Sequence, residues 1–221
     1  MIPIRDENPP RSFPLVTCSI IILNFIVFIL QQSSMDRDNA LIYHFSMIPS
    51  IFFHDPSANW FRPITYLFLH GGYLHIIGNM LFLFIFGGNI EDILGHIRFI
   101  FFYLAVGACG GLFQAALTMG TSDPIIGASG AISGVLTAYI LLFPNRRILT
   151  IIFLGFFIMP VRIPAFIYIT IWIGGQLLGL ASSVLGRSGS NVAYFVHFGG
   201  IIAGFLYISV QRRSLLRKYY T

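Results

Sequence analysis

Gly127-Ala128-Ser129-Gly130-Ala131-Ile132-Ser133-Gly134-Val135-Leu136-Thr137-Ala138-Tyr139-Ile140-Leu141-Leu142-Phe143-Pro144 is an apolar run opened by a glycine-flanked serine and closed by a proline. A helix here has room for about 14 to 16 residues, on the order of 21 to 24 Å. The hydrocarbon core of a bilayer is about 30 Å thick, so a membrane helix of that length begins below the surface. The glycine-rich backbone ahead of it must then line a protein or water-filled cavity, because lipid offers its N–H and C=O groups no partner. A bundle that surrounds this segment is therefore expected.

The rest of the chain can build one. Of 221 residues, 56% are hydrophobic and 10% charged, and the mean hydropathy is +0.81, which marks lipid rather than water as the solvent. Apolar runs at 15–30, 74–86, 99–118, 128–143, 164–185 and 192–210 read as six spans, several of them short. The prediction is an all-α membrane protein in three parts: an N-terminal segment at 1–14, a membrane domain at 15–210 and a basic tail at 211–221. The first run lacks a small-residue cleavage site and is read as an anchor, with no soluble domain appended. Between the first two runs, Asp36, Arg37, Asp38, Asp55 and Arg62 alternate with aromatic residues, a pattern of an interfacial substructure rather than a flexible linker. The stretch 148–159 is apolar but stops at Pro160 and is rich in aromatic and β-branched residues, so it is read as a loop or re-entrant segment.

The net charge of +5 would suit nucleic acid only if it formed a stripe on a soluble face, and it does not. With both termini cytoplasmic, that side collects Arg5, Arg11, Arg98, Arg146, Arg147, Arg162, Arg212, Arg213, Arg217 and Lys218, leaving Arg37, Arg62 and Arg187 outside. The basic balance reads as topology and headgroup contact. Cys18 and Cys109 both sit in apolar runs and say nothing of a disulfide framework. Gly107 with Gly111, and Gly200 with Gly204, have the spacing that lets helix backbones approach closely.

Polar residues inside spans are costly and mark candidate sites: His75, Asn79, Ser129, Ser133, Gln176 and His197. In this topology the second, fourth and sixth spans run inward from outside, which places His75, Asn79, Ser129 and His197 at one depth below the outer surface. A serine at a helix N-terminus has unpaired N–H groups beside it, which favour the oxyanion formed when a hydroxyl attacks a peptide carbonyl. Its proton needs a base, and His75 and His197 both qualify by depth. His75 and Asn79, four apart, share a helix face and can donate hydrogen bonds together. Gln176 is read as a link between helices. His44, His54 and His96 fall in predicted loops, and Asp123 reads as solvated or as a cap for the fourth helix. A zinc site at His70, His75 and His197 is the metal alternative, with neither a carboxylate in the spans nor an H-E-x-x-H helix behind it. A non-enzymatic helix-binding factor or a small polar-relay transporter are the readings outside catalysis.

Taken together, Trp60-Phe61-Arg62, His70-Gly71-Gly72-Tyr73-Leu74-His75-Ile76-Ile77-Gly78-Asn79, Gly127-Ala128-Ser129-Gly130, and His197-Phe198-Gly199-Gly200 with Gly204 resemble the rhomboid intramembrane proteases, in order and on the predicted spans. The resemblance implies a six-transmembrane-helix bundle with an interfacial loop between helices 1 and 2. It implies a Ser129–His197 dyad with no acid, an oxyanion site of His75, Asn79 and the Ser129 amide, and no metal or other cofactor. It implies structural roles for Arg62, Glu91, Gly127, Gly130, Gly200 and Gly204, while His70 is expected to brace the loop beside the pocket. Substrates would be single-span or multi-span membrane proteins in the lipid bilayer, and a bacterial inner membrane is the expected location. One position departs from the family: the residue four after the nucleophile, usually an aromatic packed on the catalytic histidine, is Ser133, which leaves the packing of the imidazole open and sets a second hydroxyl one turn from Ser129.

Overall fold

The computed structural model of the chain describes residues 1–33, 39–154, 157–185 and 193–220; Asp36, Arg37, Asp38, Arg187 and the start of the last predicted span at Val192 lie outside them. In chain order the elements are β1 (Ile2–Asp6), α1 (Leu15–Gln32), α2 (Ala40–Phe45), α3 (Pro49–His54), α4 (Arg62–Thr65), a 3-10 turn (Tyr66–Phe68), α5 (Tyr73–Leu94), α6 (His96–Leu117), α7 (Ser129–Leu142), β2 (Arg147–Leu154), β3 (Phe157–Pro164), α8 (Ala165–Val184) and α9 (Tyr194–Tyr220). The helices α1, α5, α6, α8 and α9 are long and apolar enough to cross a membrane; α7, with 14 residues, is shorter. Every α7 residue from Gly130 to Tyr139 is buried. Protein surrounds α7 on all sides, so its length need not match the bilayer, and its polar N-terminus opens inside the bundle.

Glycine sets the close packing around α7. A Cβ on Gly204 would lie 2.8 Å from the Gly134 Cα, and one on Gly200 would collide with the Gly130 carbonyl, so α7 and α9 touch backbone to backbone. On α6 the expectation is corrected. Gly107 and Gly111 make room for the side chains of Leu67 and Tyr66, whose hydroxyl donates to the Gly107 carbonyl at 2.6 Å. The α6 backbone instead meets α9 at Gly110, where a Cβ would stand 2.7 Å from the Val196 carbonyl oxygen. The outermost member is α8, with 17% of its apolar window buried.

Among its described residues, the segment between α1 and α5 holds three short helices and a 3-10 turn, a substructure of the kind its interleaved charges and aromatics suggest. Buried Arg62 ties it together: Nη1 donates to the carbonyls of Ser46 at 2.7 Å and Tyr43 at 3.0 Å, and Nε donates to Asn59 Oδ1 at 2.6 Å.

Three expectations change at the opposite end of the bundle. First, the described residues of 148–159 are strand rather than loop or re-entrant segment: β2 and β3 pair antiparallel, with Arg147 opposite Pro164, and β1 adds along β2 as a third strand. Pro160 fits because β3 is an edge strand, where a missing N–H breaks no ladder. Second, α5 runs past Phe86 to Leu94, because the polar residues that end the hydropathy signal have partners. Asn89 donates to Asp6 at 2.7 Å, and Asp92 accepts from the backbone of Arg11 and Ser12. Glu91 caps α1 from a distance: its carboxylate accepts from the N–H groups of Val16 and Thr17 at 2.8 and 2.7 Å, and from the Thr17 hydroxyl. His96, expected in a loop, opens α6 and bonds the same carboxylate; His44 and His54 likewise end short helices. Third, α9 continues through the basic tail to Tyr220, with Leu215 buried. Arg11 donates to the Tyr219 carbonyl at 2.6 Å and stacks on its ring, so both ends of the chain meet here.

Candidate active site

Ser129 is the first residue of α7. Its approach is shaped by Gly127, whose φ of +118° lies in the region that disfavours side chains. The loop is fastened on both sides. The Gly127 N–H donates to the Tyr66 carbonyl at 2.9 Å, and Ile125 exchanges backbone hydrogen bonds with Met47 at 2.9 and 3.1 Å. No side chain caps α7 among the described residues, so the first-turn N–H groups remain unpaired beside the Ser129 hydroxyl. Asp123 is exposed in this loop and does not cap the helix.

From α5, His75 and Asn79 reach this loop. A Cβ on Gly127 would lie 2.7 Å from His75 Nε2 and 3.6 Å from Asn79 Nδ2, so both side chains face the bare Cα of that glycine. The Gly71 N–H donates to His75 Nδ1 at 3.3 Å, which leaves the ring proton on Nε2, the nitrogen that faces Gly127. Asn79 Nδ2 lies 3.0 Å from His70 Nε2, which occupies one of its two N–H groups and leaves the other free. His70 is held in turn by Gln31 of α1, whose amide exchanges hydrogen bonds with the His70 backbone at 3.1 and 3.3 Å. These contacts tie His70 to α1 on one side and to Asn79 on the other.

His197 comes from α9, where the Gly130–Gly200 contact seats the helix against α7. Val196, the residue before it, lies over Gly130, the residue after Ser129: a Cβ on Gly130 would meet Val196 Cγ1 at 2.7 Å. Ser129 and His197 thus flank one helix crossing. The imidazole is buried, and its Nδ1 lies 2.7 Å from Gln176 Oε1 on α8. The Trp172 ring packs at 6.0 Å and the Tyr194 ring edge-on at 6.3 Å. These rings supply the packing that Ser133 left open. Tyr194 itself lies over Gly179 of α8, where a Cβ would fall within 2.5 Å of it. Gln176 links α8 to α9 as its sequence suggested, but sequence reading missed that its partner is His197, and missed Trp172 and Tyr194 beside that histidine. The available signal was the i, i+4 spacing of Trp172 and Gln176, which puts them on one face of α8.

Ser133 does not present a second hydroxyl. It is fully buried, and its Oγ donates to the Ser129 carbonyl at 2.7 Å, the usual back-bond of serine in a membrane helix.

Fold and site together define an integral helical membrane protein that gathers serine, histidine and amide groups inside its bundle. Residues 57–214 match the Rhomboid domain, and the chain belongs to the rhomboid family. The Rhomboid protease GlpG of Haemophilus influenzae is 25% identical over 203 residues, which cover 92% of this chain and 93% of that protein. Rhomboid-like protein 11, chloroplastic, of Arabidopsis thaliana is 24% identical over 203 residues, 90% of this chain and 66% of the plant protein. The Rhomboid protease GluP of Bacillus subtilis is 33% identical over 150 residues, 67% of this chain and 25% of that protein. The chain thus spans less than two thirds of the last two relatives.

Proposed function

We propose that this protein is an intramembrane serine endopeptidase that cleaves membrane segments of other proteins, single-span or multi-span. The observation that supports the reading is the α7 N-terminus at Ser129, where Ala128 supplies no side-chain cap, with His75 and Asn79 facing Gly127 just before it and Val196, the neighbour of His197, lying over Gly130 just after it. Ser129 Oγ attacks the scissile carbonyl while His197 takes its proton. The Ser129 N–H, the free Asn79 N–H and His75 Nε2–H hold the oxyanion. As the intermediate collapses, His197 returns the proton to the leaving amine and an acyl-enzyme remains. Water then attacks the ester, giving its proton to His197, and as the Oγ–acyl bond breaks His197 returns that proton to Ser129 Oγ while the carboxylic acid product leaves. No metal or other cofactor enters these steps. Ten basic residues on the side that holds the termini support a cytoplasmic position for both ends; the location proposed with this reading is a bacterial inner membrane.

The test is cleavage of a single-span test substrate by purified protein in liposomes, wild type against Ser129→Ala and His197→Ala. Loss of several orders of magnitude in both variants, with folding retained, is the expected result. A folded wild type that binds such segments but cleaves none of them, across several substrates, would replace the protease reading with a non-enzymatic helix-binding one.

A further inference from the structure

Gln176 stands midway along α8, an apolar helix with little of its surface buried, and among the described residues its side-chain Oε1 meets His197 Nδ1 at 2.7 Å. An amide oxygen only accepts hydrogen bonds, so the hydrogen in this contact belongs to Nδ1. A neutral imidazole carries one ring proton; with that proton on Nδ1, Nε2 keeps its lone pair. This is the tautomer a general base requires, and an unrestrained ring can both rotate and take the other. Trp172, one turn earlier on the same face of α8, and Tyr194 close on the ring from two directions.

We propose that Gln176 is a positioning residue that fixes the tautomer and orientation of His197, the office that a carboxylate fills in serine hydrolases with a third catalytic member. The inference rests on the Ser129–His197 reading above for its catalytic meaning, but the tautomer itself is independent of activity. It also gives α8 a chemical role, since the helix least embedded in the bundle carries the group that holds the base ready.

The experiment compares wild type with Gln176→Leu, which keeps the bulk and removes the acceptor, and Gln176→Glu, which keeps the reach and offers oxygen on both terminal atoms. In detergent, nitrogen-15 NMR of labelled histidine, with the His197 signals assigned by their loss in His197→Ala, reads the tautomer directly. Wild type and Gln176→Glu are expected to carry the proton on Nδ1, and Gln176→Leu to lose that preference. With a single-span test substrate, kcat of Gln176→Leu is expected to fall about 10- to 100-fold, since general-base catalysis is worth about 10²- to 10⁴-fold and is weakened here rather than removed. KM should stay within about twofold, and Gln176→Glu should recover most of kcat. A His197 proton on Nε2 in the wild type, an unchanged tautomer in Gln176→Leu, or a glutamate variant no better than leucine would overturn the proposal. If the wild type cleaves nothing, the protease reading fails while the NMR arm still decides the role of Gln176.

Discussion

Gly127→Ala is the sharpest single test of the site geometry. Two effects coincide at this position. A φ of +118° is one that an L residue adopts only under strain, and holding alanine there costs about 1–3 kcal/mol. The new methyl carbon would also lie 2.7 Å from His75 Nε2 and 2.8 Å from Cε1, whereas unforced carbon contacts begin near ~3.4 Å, so the imidazole must retreat by several tenths of an ångström. A displaced donor no longer meets the developing oxyanion, and loss of one such donor costs about 10²- to 10³-fold in kcat. The expected phenotype is a stability loss of about 1–3 kcal/mol together with a kcat reduced far more than the folded fraction is. Thermal unfolding in detergent gives the first quantity, and cleavage at saturating substrate, normalised to folded protein, gives the second. A variant with wild-type kcat per folded molecule would refute the placement of His75 against the oxyanion, and one with unchanged stability would refute the backbone strain.

Gly200→Ala should be more destructive, because its methyl group falls on the Gly130 carbonyl and only separation of α7 from α9 relieves the clash; overpacking of this kind costs about 1–3 kcal/mol or more, seen as a lowered unfolding temperature and lost cleavage together. Ser133→Ala should leave cleavage within a few-fold of wild type and cost at most about 1 kcal/mol, since the hydroxyl only back-bonds to the Ser129 carbonyl; complete inactivation would show that Ser133 takes part in the chemistry. At the other end of the bundle, burial raises the Asp6 carboxyl to about 6, although the Tyr139 hydroxyl bonds to it. The folded state therefore binds the Asp6 proton more tightly than the unfolded one, where the carboxyl titrates near ~3.9. The contribution of Asp6 to stability is fullest below the unfolded value and declines as pH rises from about 4 to 6. Unfolding temperatures measured across that window should show the decline, and Asp6→Asn should flatten it.

How much of this was legible in the sequence depended on the range of the interaction. Ser129 could be placed at a helix start because Gly127, Gly130 and Pro144 act locally, and the observed helix of 14 residues falls within the expected length. The spacing of Gly200 and Gly204 announced a close helix contact, but not which backbone it would meet. Hydropathy marked where spans stop being apolar, which is not where helices end. Asn89, Glu91 and Asp92 extend α5 because the N-terminal segment folds back onto them, and the basic tail stays helical because Leu215 is buried and Arg11 clasps Tyr219. The strand pairing was missed for the same reason. Residues 148–159 have the apolarity of a membrane segment, and the strand form of 148–154 is set by pairing with 157–164 and with β1, more than a hundred positions away.

By itself, then, the sequence determined the solvent, the number of apolar segments and the local backbone chemistry of the Ser129 turn, all of which follow from residues close together in the chain. The tertiary structure alone decided which partners each polar group found. Three helices that approach through glycine bring Val196, the neighbour of His197, to the residue after Ser129, and a fourth delivers Trp172 and Gln176 to the imidazole. Hydrogen bonds act over about 3 Å while these residues are tens of positions apart, so only the packed bundle can choose among them.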